Sequence, residues 1–526
     1  MMNKKENLKR RYVLFLFLIS LLLNLYGIVR LNPYINLDEV SIGYSSWCLG
    51  HYGVDRYMHS FPVYLQNAHG GQSILYAYLI LPGILLFGLN TYTVRLPMAI
   101  LSSLGVIPLY DMLKRTSKKQ QIFTSVLYII SPVIISLGRM GIDCNIMIPL
   151  TILMLHQIDK AISTGENKYF ISGAVLCVTE LYSYALAYLI IPIFLILLLI
   201  ILIYTKKITK TQFILVAIII ILGGFPLLLN ILTQYVIKKN WTFGFVDFWV
   251  LHRNTQSELT DYSAKAILEF IQNSIYTSHL LLIDNRDCSA PYGRFYSNFY
   301  IISIPFILYG FFLSVKRFPT QIKEKNFSGS FLFFLFSISV FISLSPIKHM
   351  GGYRINMIFP SLVVLAGVGV SEFCNTNKKT KTVYGIYLIE TILFFGLYYG
   401  INLPYEAWQN KNFSQSAISF SEELKFAKEK SREKSNIYIV NGYANWSYIP
   451  YSLGGLDPNI VKYIDDSDGD YVHDVNNIKI TNPETIKDED IFIVSKEYID
   501  PYYINNIDFD GYNCKDFQYY TVYWKK

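Results

Sequence analysis

The stretch Asn32-Pro33-Tyr34-Ile35-Asn36-Leu37-Asp38-Glu39-Val40-Ser41-Ile42-Gly43-Tyr44 sets two adjacent carboxylates directly after an apolar run, Tyr12 to Ile28. That run is long enough to cross a bilayer and follows the basic residues Lys4, Lys5, Lys9, Arg10 and Arg11, with no A-x-A cleavage site after it. It reads as an uncleaved anchor with a cytoplasmic N-terminus. The carboxylates then open an outer loop. Aspartate and glutamate beside a membrane helix, in an apolar aromatic segment, are costly to desolvate unless they meet a cation, a metal or a reacting hydroxyl. A plainer role is helix capping, with Asp38 satisfying free N–H groups and Glu39 favouring the positive end of the helix. The dipeptide alone leaves both readings open.

Outward from this loop the apolar runs recur, near 93–112, 122–138, 144–158, 168–183, 185–204, 211–231, 297–315, 328–345, 355–373 and 383–402. Over all 526 residues 52% are hydrophobic and 16% charged, against roughly a quarter charged in soluble domains. An ordinary soluble enzyme is excluded. The basic linkers Lys114, Arg115, Lys118 and Lys119; Lys206, Lys207 and Lys210; Lys316, Arg317, Lys323 and Lys325; and Lys378, Lys379 and Lys381 all fall on the cytoplasmic side if about eleven runs span. The segment 74–88, with Pro82 and Gly83, then lies at the outer interface without crossing. The formal charge of +8 is accordingly topological, and nucleic acid is not an expected partner. Six scattered cysteines form no CxxC pair, which argues against a thiolate metal site or a disulfide scaffold. Most of the 43 tyrosines are expected in interfacial belts.

This organisation predicts a mainly α fold, a polytopic transmembrane helix bundle over 1–402, with a first outer loop 29–92 and a long outer loop 232–296. The tail, 403–526, changes composition and is expected to be a small extracytoplasmic α/β domain. Within it Ser421 to Lys434 reads as a helix, and Asn436 to Val440 and Ile491 to Val494 read as strands.

The order of short motifs along the outer side resembles a known family. Asp38-Glu39, Tyr44, Gly53, Gly71-Gln72-Ser73-Ile74-Leu75-Tyr76-Ala77-Tyr78-Leu79, Phe87-Gly88-Leu89 and Arg95-Leu96-Pro97 come first. Ser136-Leu137-Gly138-Arg139-Met140-Gly141-Ile142-Asp143 follows, and then Arg354 ahead of Pro360. The set is similar to membrane glycosyltransferases of the GT-C fold, in particular bacterial relatives of the protein O-mannosyltransferases and lipid A aminoarabinose transferases. The resemblance implies inverting transfer of a sugar from a polyprenyl-phosphate donor to an extracytoplasmic acceptor, a cell-envelope polymer, lipid or protein, at a bacterial plasma membrane. It also implies that the first-loop aspartate, Asp38, is the general base. Where many relatives carry Lys-Pro-Pro or Glu-Lys-Pro-Pro this chain has Gly71-Gln72-Ser73, so a phosphate-binding lysine and a metal-binding glutamate are missing, and a divalent metal is not supported.

The chemistry of the residues fits that implication independently. Phosphate is already a good leaving group, so a single base suffices where a glycosidase needs a pair of carboxylates. Arg95 and Arg354, at outer helix ends, are candidates to hold the departing phosphate through the planar guanidinium; the alternative is snorkelling to lipid headgroups. Tyr44, Gln72, Arg139 and Asp143 are candidate cleft residues, and Glu39 is a catalytic candidate or an orienting neighbour. Arg139 and Asp143, four apart, could equally form a helical ion pair. His69, His252, His279 and His349 lack metal-ligand spacing. A carrier or flippase of lipid-linked sugars is the other function considered. Carriers place coupling charges near the midplane on interrupted helices, whereas the distinctive charges here sit at outer helix ends.

Overall fold

The computed structural model describes residues 2–31, 34–67, 70–251, 272–273, 282, 298–327, 329–344, 352–377, 379–402, 416–418, 420–432, 435–440, 448–458, 474–475, 477–479, 486–496, 509–518 and 520–525. Its contacts divide the chain into two units. One holds 1–26, 96–231 and 255–402; the other holds 27–95, 232–254 and 403–526.

The first unit is helical, and every apolar run assigned to it falls on helix. Among the described residues six helices are long and apolar enough to cross a membrane: Thr91–Arg115, Asp143–Thr164, Ala187–Tyr204, Lys210–Ile237, Ile355–Thr376 and Thr380–Gly400. The bent pair Ser303–Glu324 and Gly329–Leu344 would supply a seventh if it forms one span. The remaining runs fold as Met2–Leu25, Lys118–Ile130 with Pro132–Leu137, and Asn167–Leu181. Pro132 explains the break in the second of these, because proline is tolerated in a first helical turn but cannot continue a preceding helix.

Small residues set the tightest crossing. A Cβ on Gly310 would strike the Leu365 carbonyl, and one on Gly369 would strike the Phe306 carbonyl. The helices Ser303–Glu324 and Phe359–Asn377 therefore meet backbone to backbone, as membrane helices do where glycine lines the seam.

The second unit is built around a six-stranded mixed sheet. Its strand order is Asn513–Asp516, Tyr520–Trp524, Ile491–Ser495, Ile437–Val440, Ile478–Lys479 and Asp474–Val475. The central pair is parallel, with Ile491 opposite Ile437, and the helix Ser421–Lys430 packs against the strands Ile491–Ser495 and Tyr520–Trp524. Tyr438, Val440, Phe492 and Val494 form a buried cluster, with Phe509, Tyr512 and Tyr523 packed against it. Both halves of this unit are stitched together. Tyr34–Asn36 pairs antiparallel with Ser416–Ile418, and the Tyr451 ring packs on Gly43. The tail is thus continuous with the first loop, not a bead on a linker. Leu75–Phe87, at 13 residues, spans only about 20 Å, short of the roughly 30 Å of a bilayer core.

Candidate active site

The first loop enters its helix, Leu37–Tyr52, through a capping box. The Asn36 side chain accepts from the Asp38 amide at 2.8 Å, and Glu39 Oε2 accepts from the Asn36 amide at 3.2 Å. Gly53, at φ 71°, ends the helix in the left-handed conformation. The cap is therefore Asn36. Capping, the plainer reading of Asp38, does not account for that residue.

The two carboxylates meet different fates. Glu39 is fully buried, and Arg95, 1% exposed, grips it with a bidentate pair, Nε to Oε1 at 2.9 Å and Nη2 to Oε2 at 2.8 Å. The third arm of Arg95, Nη1, donates to the Ile28 carbonyl at 3.0 Å. Arg95, a candidate for the donor phosphate or for snorkelling to headgroups, here turns its guanidinium to Glu39, because a buried glutamate demands a cation. Asp38, one residue earlier and about 100° round the helix, is only half-buried. Its Oδ1 accepts from Asn67 Nδ2 at 2.5 Å. Asn67 Oδ1 in turn accepts from Arg56 Nη2 at 3.2 Å, and that same nitrogen donates to the Gln66 carbonyl at 3.2 Å. Arg56 is 1% exposed and lies over the Tyr57 ring. A buried cation thus orients an amide, and the amide orients the carboxylate.

Gln72 and Tyr44 are structural neighbours of this arrangement. Gln72, on the strand Gly70–Ser73 paired with Tyr64–Asn67, accepts from the Ser41 hydroxyl at 2.9 Å and donates to the Asp38 carbonyl at 3.3 Å. It ties the hairpin that carries Asn67 to the helix that carries Asp38. The fully buried Tyr44 donates to the Leu456 carbonyl at 3.0 Å, fastening the helix to the tail. Burial raises the Cys48 thiol well above its ordinary value, which marks it as a packing residue and not a nucleophile.

The other candidates belong to the helical unit. Arg139 follows the helix Pro132–Leu137, and Asp143 opens a separate short turn, Asp143–Ile146. No single helix carries both, so the four-residue spacing does not produce the helical pair that it allows. Arg139 Nη1 donates to the Leu23 and Asn24 carbonyls, both at 3.1 Å, and its guanidinium lies over the Tyr399 ring. Asp143 Oδ1 accepts from the Cys144 amide at 2.9 Å. Arg354 falls in the short helix Gly352–Ile358, and its side chain lies outside the described residues. Asn356 on that helix donates to Asn145 Oδ1 at 2.8 Å, which joins the Arg354 segment to the Asp143 turn. His69, His252, His279 and His349 lie outside the described residues. Among the described residues no three His, Cys, Asp or Glu side chains converge as metal ligands.

Three residues that serve this site went unread in the sequence: Asn36, Asn67 and Arg56. Asn36 carried a signal, since an Asx residue followed three positions later by glutamate is a capping-box pattern. Asn67 and Arg56 carried none.

Residues 71–229 match the sequence model of the dolichyl-phosphate-mannose-protein mannosyltransferase family. No curated protein matches the sequence. ArnT of Cupriavidus metallidurans in its apo state is similar in structure at 11% identity and a TM-score of 0.56, with 85% of each chain covered. The fold is GT-C. The same ArnT bound to undecaprenyl phosphate is similar over 97% of both chains, at 12% identity and a TM-score of 0.51. The Archaeoglobus fulgidus oligosaccharyltransferase in complex with zinc and sulfate is similar at 11% identity and a TM-score of 0.53, over 84% of this chain and 61% of that one. A GT-C fold with this set of apolar helices makes the chain a multi-pass membrane protein.

Proposed function

We propose that this GT-C protein is a membrane glycosyltransferase that moves a sugar, with inversion, from a polyprenyl-phosphate donor to an acceptor hydroxyl outside the cytoplasm, with Asp38 as general base. The observation that carries the reading is the division of labour at the helix start. Asn36 caps, Glu39 pairs with Arg95, and the half-buried Asp38 receives an orienting amide on one oxygen. A carboxylate so placed takes the proton of the acceptor hydroxyl as that oxygen bonds to the anomeric carbon. The bond from anomeric carbon to phosphate oxygen breaks with its electron pair, and polyprenyl phosphate departs without needing a proton. ArnT, similar in fold, has been crystallised with undecaprenyl phosphate, which supports a lipid phosphate as the carrier. Arg354 is our candidate for the phosphate contact, since Arg95 is committed elsewhere. Arg139 and Asp143 are candidates for the substrate cleft.

In the same proposal 1–402 is the transmembrane catalytic domain with its N-terminus in the cytoplasm, and 403–526 is extracytoplasmic. The acceptor is a cell-envelope polymer, lipid or protein.

The test is transfer in vesicles from a labelled lipid-linked sugar, with release of polyprenyl phosphate as a second readout. Asp38→Asn keeps the size and the helix start but cannot take a proton near neutral pH. It should fold, bind donor and lose about a hundredfold to ten-thousandfold in rate. Asn67→Leu should lower kcat more than it changes donor affinity, since it frees the carboxylate to rotate. Near-normal turnover by Asp38→Asn, or activity lost only in step with lost folding, would remove Asp38 from the chemistry.

A further inference from the structure

A second polar site lies wholly within the helical unit. A cavity of about 180 Å³ opens between the basic linker after Thr91–Arg115, the helix Ser303–Glu324, the start of Gly329–Leu344 and the helix Phe359–Asn377. Among the described residues its polar lining is Arg115, Thr116, Gln120, Ser314, Arg317, Gln321 and Ser330, with no carboxylate among them. The balancing acids sit behind the arginines: Arg115 Nη2 pairs with Asp159, and Arg317 Nη2 pairs with Glu372 at 2.6 Å. Each guanidinium uses one nitrogen on its carboxylate, and its planar array of five donors has further N–H groups to offer a second oxyanion. Gln120 is 8% exposed, and its amide nitrogen, a donor, is buried without a hydrogen-bond partner. An unsatisfied buried donor in a cavity lined by two guanidiniums calls for an acceptor.

The walls are preformed. The seam of Gly310 and Gly369 fixes two of the helices backbone to backbone, and Gly329 packs against the Met112 carbonyl beside Arg115. The cavity holds several times the roughly 30 Å³ share of one water, yet is smaller than the ~300 Å³ at which drug-sized pockets begin. It has room for a phosphate with a small substituent.

We propose that this cavity binds a phosphate group, supplied by an anionic phospholipid headgroup or by free phosphate, with Arg115, Arg317 and the Gln120 amide as its donors. Basic pockets between membrane helices take lipid headgroups in this way. Arg115 and Arg317 come from two of the linkers whose positive charge orients the chain, so the same residues would serve topology and binding.

The test uses the full chain in detergent, read by native mass spectrometry with short-chain phosphatidylglycerol and, separately, with inorganic phosphate. Wild type should retain the bound anion. Arg317→Ala should weaken binding about tenfold, as loss of a charged hydrogen bond does, and Arg317→Lys should recover part of it. Because the Arg317–Glu372 pair is partly exposed, at 45% and 34% of the side chains, that variant should lose little thermal stability. Gln120→Leu should weaken binding as well, while Lys323→Ala, on the same linker but outside the cavity, should not. Retention of phosphatidylglycerol that inorganic phosphate fails to displace identifies a headgroup; displacement identifies free phosphate. Equal binding by wild type, Arg317→Ala and Gln120→Leu would overturn the site. So would equal losses in Lys323→Ala, which would reduce it to diffuse charge. No readout depends on sugar transfer, so this proposal and the catalytic one fail separately.

Discussion

Arg95→Ala separates a structural cation from a substrate-binding one. Arg95 and Glu39 are 1% and 0% exposed at the side chain, and two hydrogen bonds of 2.9 and 2.8 Å join them. Deleting the arginine leaves Glu39 buried with a negative charge and strands the Ile28 carbonyl that Nη1 served. Breaking a buried pair from one side costs about 3–5 kcal/mol, a large fraction of a typical 5–15 kcal/mol folding free energy. The exposed Arg317–Glu372 pair is worth about 1 kcal/mol or less and provides the control. Thermal unfolding of the detergent-solubilised protein, followed by tryptophan fluorescence, should therefore show Arg95→Ala far less stable than Arg317→Ala. The double variant Arg95→Leu, Glu39→Leu should regain much of the loss, because an apolar replacement of a buried pair is often neutral or better. Full stability of Arg95→Ala combined with weakened donor binding would refute the reasoning and return Arg95 to the phosphate.

Three further outcomes follow from particular contacts. Asn36→Ala removes the helix cap and should lower stability by about 1 kcal/mol, whereas a capping role for Asp38 would make Asp38→Ala the costlier change. Gly310→Ala should cost about 1–3 kcal/mol or more, since the obstacle is the Leu365 backbone, while Gly385→Ala, with open space around it, should be neutral or stabilising by up to ~1 kcal/mol. Cys514 is exposed while Cys48, Cys144, Cys177 and Cys374 are buried. In a Cys288→Ser background a membrane-impermeant maleimide should thus label the tail of intact cells, and labelling only after permeabilisation would place that tail inside.

The elements legible in the sequence are those whose signal is local. Apolar runs became helices because a segment without polar groups can satisfy its own backbone only by helix formation in a bilayer. In the tail, Ser421 to Lys434 shortened to Ser421–Lys430, and the predicted strands became Ile437–Val440 and Ile491–Ser495. What went unread depends on contacts at a distance. Glu39 finds Arg95 56 residues away, Asp38 finds Asn67 29 residues away, and Tyr34–Asn36 finds a partner strand beyond residue 415. No period in a single sequence records such pairs. Position alone left Arg95 open: a helix end can offer a cation to a phosphate, and it is also where a buried loop carboxylate can be met, as Glu39 is here.

Adjacent carboxylates could not have shared one role in this fold. Neighbouring helix positions are rotated by about 100°, so when Glu39 reaches back to the Asn36 amide and inward to Arg95, Asp38 must face elsewhere. Burying both charges would have required a second cation at the same helix start. Instead the inward residue is neutralised and fixes the helix, while the outward one is half-buried and receives the Asn67 amide, whose donor orients a carboxylate without neutralising it. An arginine in place of Asn67 would lower the basicity of Asp38 by favouring its charged form. Arg56 is held one residue further back, behind the amide. Its hydrogen bond to Asn67 fixes the amide that in turn orients the Asp38 carboxylate.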